Sequence, residues 1–167
     1  MQVFESVADF EKFVLDCCKV AVTNAEEKIH KTIDTFLKQY YSEFTPREYI
    51  RTNQLLHSLV KTGVKSTGNG YEAEVYFDVG RLNYETGLMY LQHTAEHGRF
   101  GWATWSGGQV LETAMQGSHG GYTGAFNGHG SFAGAYGTPI WAASMAKLGN
   151  IIQLLVKELR AAGIPIH

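Results

Sequence analysis

Apolar residues at Phe10, Phe13, Val14, Cys17, Ala21, Ala25, Ile29, Ile33, Phe36, Leu37, Tyr40 and Phe44 follow one another mostly at steps of three or four. That spacing lines up one face of an α-helix, whereas in a strand it would scatter the same residues over both faces. Ser6 with Asp9 gives the start signal, because the hydroxyl can accept from a free amide while the carboxylate sits at the positive end of the helix. Thr45-Pro46 ends it, so the expected helix covers about 6–44 and would be roughly 55–60 Å long if unbroken. This exceeds what a chain of 167 residues needs to cover its own core. Either the helix bends, with Thr23-Asn24 as the expected place, or its length serves contact with another chain.

Thr45-Pro46-Arg47-Glu48 repeats the start signal, with Pro at the first helical position and Glu three residues after Thr, and predicts a short helix over about 46–56. A β-hairpin is expected over about 58–79. Gly68-Asn69-Gly70 forms its turn through an Asn-Gly pair that tolerates positive φ, and Tyr71, Ala73, Val75, Phe77 and Val79 alternate with polar residues. From 98 to 137 glycine makes up about a third of the residues, interleaved with Trp102, Trp105, Tyr122, Phe126, Phe132 and Tyr136. No sustained period survives there, which predicts a long Gly/aromatic loop with room for one short helix around Gln109–Gln116. Trp141, Met145, Leu148, Ile152, Leu155 and Leu159 then step by four and three, and Gly163 and Pro165 follow, so a closing helix is expected over about 139–162. The fold class is therefore α+β: a long N-terminal and a C-terminal helix on a small antiparallel sheet, in a single domain over 1–167.

A chain of this length with 44% hydrophobic residues can bury a core of its own. Its 14 basic and 16 acidic residues leave a formal charge of -2, which gives no overall positive field for nucleic acid or an anionic membrane, although local basic patches are allowed. Arg47, Arg51, Lys61 and Lys65 form one such sequence cluster. Met1 to Phe10 carries Glu5 and Asp9 and lacks the pattern of a signal peptide, and no apolar run is long enough to span a bilayer. Folding in the cytosol is the expectation, with Cys17 and Cys18 as reduced thiols; as neighbours in a helix they diverge by about 100°.

The sharpest catalytic motif is His93-Thr94-Ala95-Glu96-His97, the H-x-x-E-H pattern of inverted zinc peptidases. On a helix the two imidazoles would stand one turn apart and could hold zinc, with Glu96 activating a bound water and Glu112 or His119 as nominal third ligands. Gly98 and Gly101 follow at once, which is a poor setting for ligands that must be held rigidly. His119 and His129 lie among glycines that suit turns better than a phosphate loop, since no Gly-Lys-Ser/Thr triplet exists. No serine occupies a Gly-x-Ser-x-Gly elbow, and neither cysteine has a nucleophile's local signature. No catalytic residue, metal or cofactor is expected.

Four segments stand in order along the chain: the long first helix, the Tyr40-Tyr41 to Thr45-Pro46 exit, Arg51-Thr52-Asn53-Gln54-Leu55-Leu56-His57-Ser58-Leu59 with the hairpin behind it, and Gly137-Thr138-Pro139-Ile140-Trp141 opening the last helix. Taken together they resemble the neck or tail-completion family of long-tailed bacteriophages. They cover about two thirds of the chain. The Gly/aromatic stretch from Glu85 to Tyr136 departs from the family's simplest form. The resemblance implies a non-enzymatic virion protein, forming homo-oligomeric rings or connectors between portal or head-closure proteins and tail proteins, without specific nucleic-acid or membrane binding. A tail terminator or minor capsid protein is the neighbouring alternative, and a zinc hydrolase using His93, Glu96 and His97 is the one from another class.

Overall fold

A computed structural model describes residues 4–43, 53–82, 107–119 and 135–166. The elements run α1 (Val7–Ser42), α2 (Gln54–Ser58), β1 (Leu59–Lys61), β2 (Lys65–Ser66), β3 (Tyr71–Glu72), β4 (Val75–Phe77) and a 3-10 turn (Val79–Arg81). After these come α3 (Gly107–Met115), β5 (Ser118–His119), β6 (Ala135–Tyr136), α4 (Ile140–Leu148) and α5 (Ile151–Ala161). The expected α+β layout is observed. Packing gathers them into two compact units, one of Met1–Thr32, Lys61–Tyr76 and Met145–His167, the other of Ile33–Val60 and Phe77–Ser144.

In the first unit α1 begins where the sequence places it. The Asp9 amide donates to Ser6 Oγ at 3.1 Å and Ser6 Oγ donates back to Asp9 Oδ2 at 2.6 Å, a closed cap. Phe4 folds back onto Phe10 and Phe13, with both ring centroids 5.2 Å away. α1 runs as one unbroken helix through Thr23-Asn24, where Thr23 Oγ1 donates to the Lys19 carbonyl one turn back at 2.8 Å. Cys17, Ala21 and Ala25 are buried at four-residue steps, and their small side chains let neighbouring backbone come close.

Opposite charges and amides fix what lies against that helix. Lys61 pairs with Glu27, Lys28 pairs with the buried Glu158, and the buried Glu26 accepts from the Gly63 amide at 2.8 Å. Hydrogen bonding to Lys61, then its charge, holds the exposed Glu27 carboxyl below the usual range. The hairpin is as expected in alternation from Tyr71 to Phe77, but Val79, expected to continue it, opens the 3-10 turn and is 48% exposed. It is also as expected in antiparallel pairing, with Lys65 opposite Glu72 and Ser66 opposite Tyr71. Between that pair and the Thr62 amide's bond to the Glu74 carbonyl, the first strand carries one residue more than the second. Gly63, at φ +71°, sits in this bulge. The turn differs from expectation in its phase: Gly68 takes the positive φ of +84°, and the Thr67 amide donates to the Gly70 carbonyl across a Gly68-Asn69 loop. This fits the primed turn that places Gly first rather than one built on Asn-Gly.

The closing helix expected over 139–162 is two helices. Gly149, at φ +70°, ends α4, and Asn150 restarts the chain by accepting from the Ile152 and Gln153 amides through its side chain. The break resets the helical phase, so Ile152, placed by its spacing on the apolar stripe, is 72% exposed, while Glu158 is buried. At the far end the expected stop is observed: the Gly163 amide bonds the Arg160 carbonyl and the Ile164 amide the Leu159 carbonyl, with Gly163 at φ +109°.

The second unit has a more conventional interior of Ile33, Leu37, Leu55, Leu82, Ala114 and Ile140. The helix expected over 46–56 is observed only as α2, Gln54–Ser58; its Thr45-Pro46 start lies outside the described residues. Within the expected Gly/aromatic loop of 98–137 stand α3, close to the short helix anticipated there, and the unanticipated antiparallel pair β5–β6. The rest of that stretch lies outside the described residues.

Replacing Glu26 by Ala leaves the Gly63 amide without its carboxylate, and the expected cost is about 1–3 kcal/mol. Glu26→Gln keeps an acceptor oxygen and should lose less. Urea unfolding of both variants checks the order, and equal stability of Glu26→Ala and the parent would contradict it.

Candidate functional site

His93, Glu96 and His97 lie outside the described residues, as does His129. Glu112 stands exposed on α3, where Gln116 Nε2 donates to it at a long 3.5 Å, and the His119 backbone belongs to β5. Among the described residues, no group of three or more His, Cys, Asp or Glu side chains is placed to hold a metal ion. Cys17 and Cys18 are free thiols, as expected for reduced cysteines in a core helix. Cys17 Sγ donates to the Ala162 carbonyl at 2.9 Å, and burial raises its pKa, with smaller contributions from Cys18 and Asp16. A nucleophilic cysteine is shifted the other way.

The motif segments are where the structure concentrates polar geometry, all of it within the second unit. Glu43, just past the end of α1, grips Thr138 twice: the Thr138 amide donates to Oε2 at 2.6 Å and the hydroxyl donates to Oε1. Gln39 Nε2, one turn back, donates both to Thr138 Oγ1 at 2.8 Å and to Glu43 Oε1 at 2.9 Å. Thr138 thereby sets the entry to α4, whose Ala143 amide bonds the Pro139 carbonyl.

Two glycines complete this joint. The Gly137 amide donates to the Gly117 carbonyl at 2.7 Å. A Cβ on Gly117 would come within 2.5 Å of the Gly137 oxygen and 2.9 Å of the Pro139 nitrogen, and Gly117 also has φ +81°. The contact is backbone on backbone, so no side chain can yield.

The other motif segment, from Asn53 to Leu59, starts at Asn53 in the left-handed region, φ 57°. The Asp78 amide donates to the Ser58 carbonyl at 2.8 Å, while Arg81 bridges the His57 carbonyl at 3.1 Å and Asp78 Oδ2 at 2.9 Å. The side chains of Gln39, Glu43, Thr138, Ser58, Asp78 and Arg81 are engaged with backbone or with each other, so this chemistry locks loops in place. Sequence reasoning singled out these segments by their motifs but not their anchors, because Glu43 and Gln39 are about a hundred residues from Thr138 along the chain.

The YomN family model matches residues 6–161, from the cap of α1 through α5 and across both motif segments. The chain belongs to the YomN family. That family is phage-derived, which agrees with the coarser part of the resemblance seen in the sequence and leaves the position in the particle open. No curated protein and no solved structure matches the chain.

Gly117→Ala meets both a forbidden contact and a strained φ, and the expected loss is about 2–4 kcal/mol of stability or failure to fold. Gly68→Ala keeps a positive φ but meets nothing within 4 Å, so it should lose less; thermal melts of the two variants check the order. For the thiols, Cys18 should be alkylated by iodoacetamide at neutral pH well before Cys17, and mass spectrometry of the modified peptides reads the order.

Proposed function

We propose that the chain is a structural, non-enzymatic component of a phage particle, assembling as a ring or connector subunit at the head–tail junction after synthesis in the host cytoplasm. The observation that carries the reading is membership in a phage-derived family over residues 6–161. The resemblance of the Asn53–Leu59 and Gly137–Trp141 segments to neck and tail-completion proteins supports the head–tail junction as the place proposed. Trp141, directly after the Thr138 joint, is 54% exposed, and aromatic side chains held on a rigid element are favoured anchors in protein interfaces. Ring closure needs one patch to meet a different patch on the next copy, which a fixed protruding Trp141 can provide. Among the described residues, no helix is long and apolar enough to cross a membrane.

Mass photometry of the purified protein across concentration, with metal analysis on the same sample, tests this reading. Discrete metal-free oligomers are expected, and Trp141→Ala should weaken association by about tenfold or more. A monomer carrying one tightly bound zinc that is lost in His97→Ala would replace the reading with a metal hydrolase. A metal-free monomer that also fails to bind isolated phage connectors or tails would remove the subunit role altogether.

A further inference from the structure

The Gly149-Asn150 break between α4 and α5 opens an exposed pocket of about 430 Å³ within the first unit, lined in part by Lys28, Thr32, Lys147, Asn150, Gln153 and Lys157. Three lysines thus line one small space. Glu158 neutralises the first, since it is buried and paired with Lys28, whose side chain remains 51% exposed. Lys147 and Lys157 are exposed and, among the described residues, form no ion pair, and no carboxylate is among the residues that line the pocket. Two uncompensated positive charges beside a paired third repel one another, and a bound anion relieves that repulsion.

The α5 N-terminus does not create this preference, because Asn150 already accepts from the amides of Ile152 and Gln153. What remains for a ligand is charge from the lysines, with the polar residues Thr32, Asn150 and Gln153 lining the same pocket. A Cβ at Gly149 would meet nothing within 4 Å, so the floor beside the break is open to a ligand. The lining holds no aromatic ring on which a base could stack, so recognition rests on concentrated negative charge. Phosphate carries more such charge than a carboxylate and suits ammonium groups as point-charge partners.

We propose that this pocket is a binding site for a phosphate-bearing anion of about diphosphate size, held by Lys147 and Lys157 with Lys28 at its edge. The site stands on the first unit alone and is independent of the head–tail reading. The shared chemistry is adjacent phosphate groups, either free as diphosphate or joined in a nucleic-acid backbone.

Titration of the full chain with inorganic pyrophosphate, followed by amide chemical shifts, tests the site. Saturable shifts are expected at Gly149, Asn150 and Gln153, with affinity falling as salt rises. The exposed pair Lys147→Gln/Lys157→Gln should weaken binding by about tenfold or more, a loss of roughly 1.4 kcal/mol. Lys12→Gln/Lys19→Gln, which removes the same charge from α1 outside the pocket, should leave affinity within about twofold. A second titration with a short mixed-sequence DNA duplex separates the sources. If the duplex shifts the same amides and pyrophosphate displaces it, a backbone is the ligand, whereas response to pyrophosphate alone indicates a free anion. No shift at about 10 mM pyrophosphate, or equal weakening by the two double variants, overturns the proposal.

Discussion

Everything described in the first unit depends on how closely other backbone can approach α1. Cys17, Ala21 and Ala25 form a row of small side chains, and the Gly163 cap that ends α5 lies where an added Cβ would stand 3.5 Å from Phe13 and 4.0 Å from Cys17 Sγ. Small residues give little apolar area each, so this packing depends on satisfied polar contacts more than a leucine-rich interior does. Glu26 holds the hairpin bulge through the Gly63 amide, Glu158 holds α5 through Lys28, and Cys17 holds the end of α5 through the Ala162 carbonyl. Such partners specify register, because a one-residue slip along α1 would bury a carboxylate with no donor. The second unit relies instead on apolar packing around Leu37 and Ile140, both with no exposed surface.

What the sequence made legible is local in origin. The Ser6–Asp9 cap, the alternation of Tyr71 to Phe77 and the Gly163 stop each depend on residues a few positions apart, and each is observed. The Gly149-Asn150 break was visible as a glycine followed by a good N-cap residue. The four-three spacing from Trp141 to Leu159 masked it by continuing across the interruption. The hairpin turn shows the same limit at finer scale: both Gly68-Asn69 and Asn69-Gly70 are acceptable pairs, and the strand register, set by packing, chooses the first. The β5–β6 pair could not be read at all. Two-residue strands carry no periodicity, and their neighbourhood is fixed by the Gly117–Gly137 backbone contact.

The same division between local and distant determinants governs the functional residues. The H-x-x-E-H motif was conspicuous because its five residues are consecutive, yet consecutive residues give a metal site only when a fold holds them, and that stretch lies outside the described residues. The Thr138 joint was half legible: Gly137-Thr138-Pro139 reads as a helix entry, but Glu43, which gives it its geometry, belongs to the end of α1.

Lys28, Lys147 and Lys157 extend this argument to electrostatics. A formal charge of -2 describes the field far from the molecule, where opposite charges average out. Within a pocket the relevant sum is over a few side chains, and here a buried glutamate neutralises one lysine while two others pair with no carboxylate among the described residues. The local sum has the opposite sign to the global one. It arises where the break at Gly149 interrupts the helix, and Lys147 before the break and Lys157 after it line one pocket with Lys28 of α1. A continuous helix over 139–162 would have placed Lys147 and Lys157 about three turns apart along its axis. The interruption that the spacing concealed is thus also what concentrates the charge.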